Sequence, residues 1–325
     1  MSEVRIAFIG AGGNNTGHMR QLNRIEDVSF VAICDVDQAR AQQAADEFGG
    51  KVYTDHHRML EREEMDALYI SIPPCAHSDA EILAAQKRVH LFVEKPVCLD
   101  IVLGLRILEA IEHNGVISCV GYQLRYLDTT QRLRAYLAGQ QVALISSHRW
   151  GGLPGTPWWR VMDQSGGQLV EQTTHQVDLM RYLVGGIVEA YAKYATLVMG
   201  GLDNFTIPDA QAVIFEFETG TLCTLSTSPM WSQGGGQGDL VFLLANQSLG
   251  WGTQNIEATP PVPELDFEPQ PTPSIDEVFV QAVRTGDQSS ILSSYRDALM
   301  TLDATLAANE SAVTGKPVRT RMAGP

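Results

Sequence analysis

Apolar residues in the N-terminal third fall in short continuous runs that alternate with helical patterns. Continuous apolar strands are buried on both faces, so they favour a parallel sheet with helices on each side. The pattern predicts a doubly wound α/β domain over residues 1–121. The predicted strands are residues 4–9, 30–34, 67–72, 89–93 and 116–120, and the predicted helices are residues 38–48, 79–86 and 101–113.

The pattern changes after residue 121, where several strand patterns follow one another without helices between them. Successive strands of this kind predict an open, mainly antiparallel sheet, so residues 122–325 are expected to form an α+β domain. The strand patterns are residues 142–150, 188–199, 210–218, 221–228 and 239–244. Helical patterns stand at 129–137, 168–184, 275–284 and 295–311, and a proline-rich connection covers 259–273. Packing of the last two helices back toward the first domain is left open.

Composition narrows the class of protein. The chain has 325 residues, enough for two cores, and a net charge of −15, which argues against nucleic acid or an anionic membrane as a partner. No apolar run approaches the ~20 residues of a membrane helix. Five widely spaced cysteines predict reduced thiols and a cytoplasmic protein, and no metal site is expected.

A glycine-rich turn follows the first strand and precedes a helical pattern. Gly10 would allow the tight turn, and Gly12 and Gly13 would let the backbone approach a pyrophosphate. Amides at the helix start, including those of Asn14 and Asn15, would face its charge. Asn15 stands where the G-x-G-x-x-G fingerprint has its third glycine, so the helix is expected to lie slightly farther from its strand. An ordinary tight turn is the alternative.

The second strand ends at Asp35, 23 residues after Gly12. Its carboxylate could accept hydrogen bonds from the ribose hydroxyls of adenosine, and it would repel a 2′-phosphate. Because no Arg or Lys follows immediately, NAD is favoured over NADP. A helix N-cap is the alternative role. Ser71 and Pro73 lie at the carboxyl end of the next predicted strand, with His77 beyond them, and would line the same edge, although His77 alone could be an ordinary surface residue.

Two charged residues, Glu94 and Lys95, directly follow the predicted strand at 89–93, and Pro96 comes next. Ligands bind open parallel sheets at this carboxyl edge. Glu94 could bond a ribose hydroxyl, and Lys95 could place an ammonium beside a reacting oxygen. A strand-end ion pair before a proline turn is the alternative.

The second domain offers its own polar group. Glu171, His175, Asp178 and Tyr182 are spaced to lie on one face of the predicted helix at 168–184, either toward water or lining a site. A loop rich in Gly, Pro and Trp ends at Trp159-Arg160. The indole could stack on a sugar and the guanidinium could bond its hydroxyls, or the tryptophans could simply pack the loop against the domain.

Together these motifs resemble the Gfo/Idh/MocA family of oxidoreductases over nearly the whole chain. The resemblance rests on the glycine-rich turn, Asp35, Pro73-Pro74 with His77, Glu94-Lys95-Pro96, Gly121-Tyr122-Gln123-Leu124-Arg125 and Trp159-Arg160 before Ser165-Gly166-Gly167. It implies a Rossmann domain, a catalytic Lys95, a cis Lys95–Pro96 bond, and a second domain whose open sheet supplies the substrate pocket. It also places Gln123 at the cofactor and Tyr122 at the substrate.

The family has Asp where this chain has Glu171, which leaves that residue open between contacting substrate and orienting His175. The predicted function is hydride transfer between a nicotinamide cofactor and a secondary alcohol of a sugar or polyol. His175 is the preferred base, because an imidazole pKa of about 6.5 suits proton transfer at neutral pH. Lys95 would stabilise the developing alkoxide.

Two alternatives stay open for the function. One is a dinucleotide-binding sensor or scaffold without catalysis, and the other is an enzyme that uses tightly bound NAD as a recycled internal redox catalyst. The open sheet of the second domain also predicts a homo-oligomer that associates through its exposed face.

Overall fold

The computed structural model describes residues 3–153, 155–230 and 236–322. The chain forms two compact units. Unit 1 comprises Met1–Gln123 and Pro273–Leu299, and unit 2 comprises Leu124–Thr272 and Met300–Pro325. Unit 1 is therefore discontinuous in sequence, because a late segment completes it.

Unit 1 is built on a parallel sheet. Within the described residues its six strands pair in the order β3-β2-β1-β4-β5-β6, which is the order of dinucleotide-binding sheets. The predicted doubly wound fold is confirmed. Its elements are β1 (Val4–Ile9), α1 (Gly13–Leu22), β2 (Val28–Cys34), α2 (Gln38–Phe48), β3 (Lys51–Tyr53), α3 (His56–Arg62), β4 (Ala67–Ile70), α4 (Ala80–Gln86), β5 (His90–Val93), α5 (Ile101–His113) and β6 (Ser118–Val120).

Unit 2 is built on a sheet of eight strands, counted over the described residues, in the order β13-β12-β11-β7-β10-β9-β8-β14. The β7–β10 pair is parallel and the other neighbours are antiparallel, as predicted for a mainly antiparallel sheet. The elements are α6 (Asp128–Leu137), β7 (Leu144–Trp150), α7 (Met162–Ser165), α8 (Gly167–Glu171), α9 (Thr174–Val184), β8 (Ile187–Ala195), β9 (Ala210–Phe217), β10 (Leu222–Ser228), β11 (Gln237–Leu244), β12 (Gln247–Trp251), β13 (Ile256–Thr259) and β14 (Val318–Arg319).

The sheet of unit 2 has one buried face and one exposed face. Along β9, buried and exposed residues alternate, as expected when one side of a sheet packs on a core. Phe215 and Phe217 point to the core, where Val177 and Met180 of α9 also lie. Ile214 stays 46% exposed on the opposite side. The outer face is therefore left open in this chain.

Two helices follow the proline-rich connection, α10 (Ile275–Thr285) and α11 (Tyr295–Thr314). A capping box at Ser274 and Glu277 begins α10. Phe279 of α10 meets Tyr69 and Phe92 edge-on, with ring centroids 5.6 and 5.7 Å apart respectively. These contacts pack α10 on the parallel sheet of unit 1.

The helix predicted over residues 168–184 is wrong in its continuity. The structure has two helices, α8 and α9, separated at residues 172–173. The Thr173 hydroxyl forms a hydrogen bond with the Thr227 hydroxyl of β10 at 2.7 Å. Glu171 therefore ends α8, and it does not share one continuous helical face with His175.

Candidate cofactor and catalytic site

The glycine-rich turn joins three neighbouring strand ends. Gly10 has φ +87°, and a Cβ added there would lie 2.1 Å from the Ser71 carbonyl oxygen. Its N–H donates to the Cys34 carbonyl at 2.7 Å, and the Ser71 N–H donates to the Ile9 carbonyl at 2.9 Å. Only glycine fits a positive φ at such close approach.

The start of α1 offers backbone donors to a ligand. Gly12 is its N-cap residue and makes no side-chain cap hydrogen bond. Beyond the adjoining residues and the backbone of α1 itself, no atom of the described residues lies within 4 Å of a Cβ built on Gly12 or Gly13. Free first-turn amides beside open backbone suit a pyrophosphate, since helix N-termini attract anions.

Asn15, at the position of the third glycine, is buried within this turn, whereas Asn14 is exposed. The Asn15 Nδ2 donates to the carbonyls of Ile9 and Gly10 at 2.9 and 2.5 Å. The side chain thus ties the first turn of α1 to the end of β1.

Asp35 also holds the turn together. It is 7% exposed. Its Oδ2 accepts the Ala11 N–H and its Oδ1 accepts the Asp37 N–H, both at 2.8 Å. The N-cap alternative for Asp35 is wrong, because Asp37 caps α2 by accepting from Ala39 and Arg40. Asp35 links the ends of β1 and β2 where an adenosine ribose would lie.

Sequence reasoning missed one cation at this edge. Arg40 folds back from α2, so that its Nη1 lies 3.8 Å from Asp35 Oδ2 and its Nη2 lies 3.6 Å from Asp37 Oδ2. A guanidinium near the ribose can accommodate a 2′-phosphate. The sequence signal was weak because Arg40 is five positions beyond Asp35.

The segment after β4 places Pro73 at the start of a short 3₁₀ turn, Pro74–Ala76. His77 follows it and is buried, not on the surface. Its Nδ1 bonds the carboxyl of Glu81, which is also buried. The surface alternative for His77 is therefore wrong, and its ring is held at the ligand edge.

Glu94 is held by three contacts where β5 ends. Its N–H donates to the Ile70 carbonyl at 2.8 Å. Its Oε2 accepts the Lys95 N–H at 3.2 Å, and its Oε1 lies 3.0 Å from His18 Nε2. The Lys95–Pro96 peptide bond is cis, and Lys95 is half-buried. His18 was not predicted as part of this site.

Tyr122 and Gln123 come just after β6. Tyr122 is buried, and its N–H donates to the Val120 carbonyl at 2.6 Å. Gln123 is exposed and begins the 3₁₀ turn Gln123–Tyr126.

In unit 2, the polar face of α9 contains a buried ion pair. Asp178 accepts from Arg125 Nε and Nη2 at 2.7 and 2.6 Å, and from the Thr301 hydroxyl at 3.0 Å. The guanidinium of Arg125 also lies over the ring of Tyr182, 4.8 Å from its centroid. Asp178 therefore points into the protein, so the solvent-facing alternative fails for this residue.

The other two predicted residues differ in exposure. Glu171 is buried at the end of α8, and His175 is half-buried in the first turn of α9. The break between the helices separates them.

Trp159 and Arg160 lie in the 3₁₀ turn Pro157–Arg160. The rings of Trp158 and Trp159 are nearly parallel, with centroids 6.0 Å apart. The Arg160 carbonyl accepts the Thr206 N–H at 2.9 Å, which anchors the turn within unit 2.

His56, His57 and Asp79 are the one group among the described residues that could hold a metal ion, with ligand atoms within 4.8 Å of one another. Each imidazole Nε2 lies 2.9 Å from a different oxygen of Asp79. Burial alone would raise the pKa of the Asp79 carboxyl group. The hydrogen bonds from the two imidazoles outweigh this effect and lower the pKa to about 2. Imidazole–carboxylate hydrogen bonds thus account for the contacts.

Every helix among the described residues is too short or insufficiently apolar to span a membrane.

The sheet order, the positive-φ glycine turn and the acidic residue after β2 define a dinucleotide-binding protein. Residues 4–122 match a family model described as an oxidoreductase family with an NAD-binding Rossmann fold, and residues 126–242 match the GFO/IDH/MocA C-terminal domain. The chain belongs to the Gfo/Idh/MocA family. Its predicted class, a nicotinamide-dependent oxidoreductase that uses NAD, is confirmed.

Known proteins similar to this chain include two inositol dehydrogenases. Myo-inositol 2-dehydrogenase of Thermotoga maritima is 29% identical over 231 residues, covering 69% of this chain and 68% of that protein. scyllo-Inositol 2-dehydrogenase (NAD⁺) of Bacillus subtilis is 27% identical over 225 residues, covering 67% and 65%. The WlbA dehydrogenase of Bordetella pertussis, solved with NADH and UDP-GlcNAcA, has 20% identity, a TM-score of 0.83 and 98% coverage of both chains. That last likeness shows the fold.

Proposed function

We propose that this protein is an NAD-dependent dehydrogenase that oxidises a secondary alcohol of a polyol or sugar, or reduces the corresponding ketone. The arrangement at the carboxyl edge of the parallel sheet carries the proposal. Ile9 pairs with Ile70, and Ile70 pairs with Val93. The residues that follow these three are Gly10, Ser71 and Glu94-Lys95, so the phosphate-binding turn and the lysine lie at the same edge of the sheet, on strands that are separated only by β4. The inositol dehydrogenases among the relatives support this substrate class.

In this proposal, unit 1 binds the cofactor and unit 2 recognises the substrate. Asp35 accepts from the adenosine ribose, the amides at the start of α1 hold the pyrophosphate, and Ser71, Pro73, His77 and Gln123 line the remaining cofactor surface. Tyr122, Trp159 and Arg160 are proposed substrate contacts. Bound NAD supplies the hydride acceptor. Asp35 supports NAD over NADP, although the nearby guanidinium of Arg40 reduces the expected difference in affinity between the two cofactors.

Lys95 is proposed to donate a hydrogen bond to the reacting oxygen and to stabilise its alkoxide character. His175 is proposed to take the hydroxyl proton, a role that a half-buried imidazole can fill at neutral pH. The burial of Glu171 argues against direct contact with substrate, and orienting His175 is proposed as its role.

The test is a panel of inositols, linear polyols, aldoses and sugar acids, each assayed with NAD and NADP for absorbance of the reduced cofactor. Lys95→Ala should abolish turnover and retain NAD binding, because the loop and Asp35 are untouched. Lys316→Ala, which removes an exposed lysine of unit 2, is the matched control and should behave like wild type. Full turnover by Lys95→Ala would refute the assignment.

Two other outcomes would replace the proposal. NAD binding without turnover of any substrate would favour a sensor or scaffold. NAD that stays bound through purification, with substrate converted and no net NADH formed, would favour a recycled internal redox catalyst.

A homo-oligomer is proposed through the outer face of the unit 2 sheet. Ile214 and Leu222 are 46% and 48% exposed there. A shallow depression of about 440 Å³ also opens on this face between β7, β8, β9 and β10. Exposed apolar side chains on an open sheet are typical of an association surface.

A further inference from the structure

His18 bridges two carboxylates inside unit 1. Its Nδ1 lies 2.8 Å from Asp276 Oδ1, and its Nε2 lies 3.0 Å from Glu94 Oε1. The three side chains are mostly buried, with exposures of 14% for His18, 12% for Glu94 and 4% for Asp276. The bridge connects α1, the end of β5 and the start of α10, which are far apart in sequence.

The charge state of this bridge follows from its geometry. A neutral imidazole has one N–H and could donate to only one carboxylate, whereas an imidazolium donates to both. Burial disfavours the charged ring, but the hydrogen bonds and charges of Asp276 and Glu94 outweigh it and raise the pKa of His18 to about 10. His18 is therefore a cation at neutral pH.

The surroundings leave the bridge little freedom. The His18 ring packs against Phe92 and Tyr69, with centroids 4.7 and 5.6 Å away. On the other side, a Cβ built on Gly121 would lie 2.2 Å from Glu94 Oε1, so the carboxylate fills the space that a larger residue would need. His18 and Glu94 are held by packing as well as by charge.

The bridge continues through Glu94 to the backbone of Lys95. Glu94 uses one oxygen for His18 and the other for the Lys95 N–H. We propose that His18 and Asp276 are positioning residues for catalysis: Asp276 orients the His18 imidazolium, His18 fixes Glu94, and Glu94 fixes the peptide of Lys95. This inference rests on the proposed function, which gives Lys95 its contact with the reacting oxygen.

The kinetic test compares His18→Ala, His18→Gln and Asp276→Asn with wild type on a substrate found in the panel. His18→Ala should lower kcat roughly 10- to 100-fold. This is the range expected if the free energy of one charge-assisted hydrogen bond is added to the activation barrier. His18→Gln keeps a donor toward Glu94 and should recover part of that loss. The dissociation constant of NAD should change by less than about threefold.

A purely structural defect is separated by two further readouts. Slower hydride transfer should raise the deuterium isotope effect with substrate labelled at the reacting carbon, whereas a smaller folded fraction would leave it unchanged. His113→Ala removes an exposed histidine of α5 and is the matched control. Wild-type kcat and isotope effect in folded His18→Ala would overturn the proposal.

A second measurement does not depend on any substrate. In ¹⁵N-histidine-labelled protein at a pH of about 8, both ring nitrogens of His18 should carry protons. Asp276→Asn should lower the pKa of His18. A neutral His18 in wild type would overturn the bridge even if the dehydrogenase activity is confirmed. Failure of the substrate panel, with His18 doubly protonated, would instead count against the proposed function and against the catalytic part of this inference.

Discussion

Replacing Gly10 with alanine should destabilise the protein markedly, because two independent penalties meet at this residue. A φ of +87° costs an L-residue roughly 1–2 kcal/mol. The new Cβ would also lie 2.1 Å from the Ser71 carbonyl oxygen, which is a backbone atom and cannot rotate away. Forcing extra atoms into packed structure costs about 1–3 kcal/mol. The expected loss is about 2–5 kcal/mol, a large part of the ~5–15 kcal/mol of a typical protein.

Urea unfolding of cofactor-free protein, followed by circular dichroism, measures this loss. Gly13→Ala is the matched control, since Gly13 begins α1 and a Cβ there would meet no described atom within 4 Å beyond the adjoining residues and the backbone of α1. Alanine is favoured over glycine in helices by about 1 kcal/mol, so the control should be as stable as wild type or more so. A Gly10→Ala protein within about 0.5 kcal/mol of wild type would refute the steric reasoning. An equal loss in Gly13→Ala would show that the turn is sensitive to any side chain.

Four further predictions concern the rest of the molecule. Arg40→Ala should weaken NADP binding several-fold more than NAD binding, measured by fluorescence titration with both cofactors, and an equal change would contradict its position beside the ribose site. Asp178→Asn should lower the free energy of unfolding by about 3–5 kcal/mol, because it leaves the buried Arg125 without its counter-charge. The raised pKa of His18 means that its stabilising contribution is full below pH about 6.5 and is lost as pH rises through about 10. His18→Gln should therefore flatten the fall in urea midpoint over that window. Ile214→Glu should reduce the oligomer mass measured by light scattering, and an unchanged mass would place the interface elsewhere.

Local patterns predicted the elements whose identity depends on nearby residues. The helices α2 and α5 have the predicted bounds, because each has clear periodicity and a capping Asp just before it. β3 was missed because it has three residues, none fully buried, and so presents no apolar run. β12 and β13 were missed because strands of four or five residues, each with one buried residue, give little alternation to detect.

The parts that were missed or wrong depend on distant partners. The break between α8 and α9 coincides with the contact of Thr173 and Thr227, which are 54 residues apart. His18 gave no signal of its own, because its partners Glu94 and Asp276 stand 76 and 258 positions away. Candidate chemistry at strand ends could be predicted, since parallel strands bring their carboxyl ends together. The side chains that orient it could not.

The discontinuity of unit 1 has a consequence for synthesis on the ribosome. At about 5–20 residues per second, the roughly 150 residues between Gln123 and Pro273 take about 8–30 s to translate. Throughout that interval His18 lacks Asp276, and the rings of Tyr69 and Phe92 lack their cover from Phe279. The nascent nucleotide-binding unit is then incomplete, with apolar surface available to chaperones. A gene truncated after residue 121 would leave it permanently in that state.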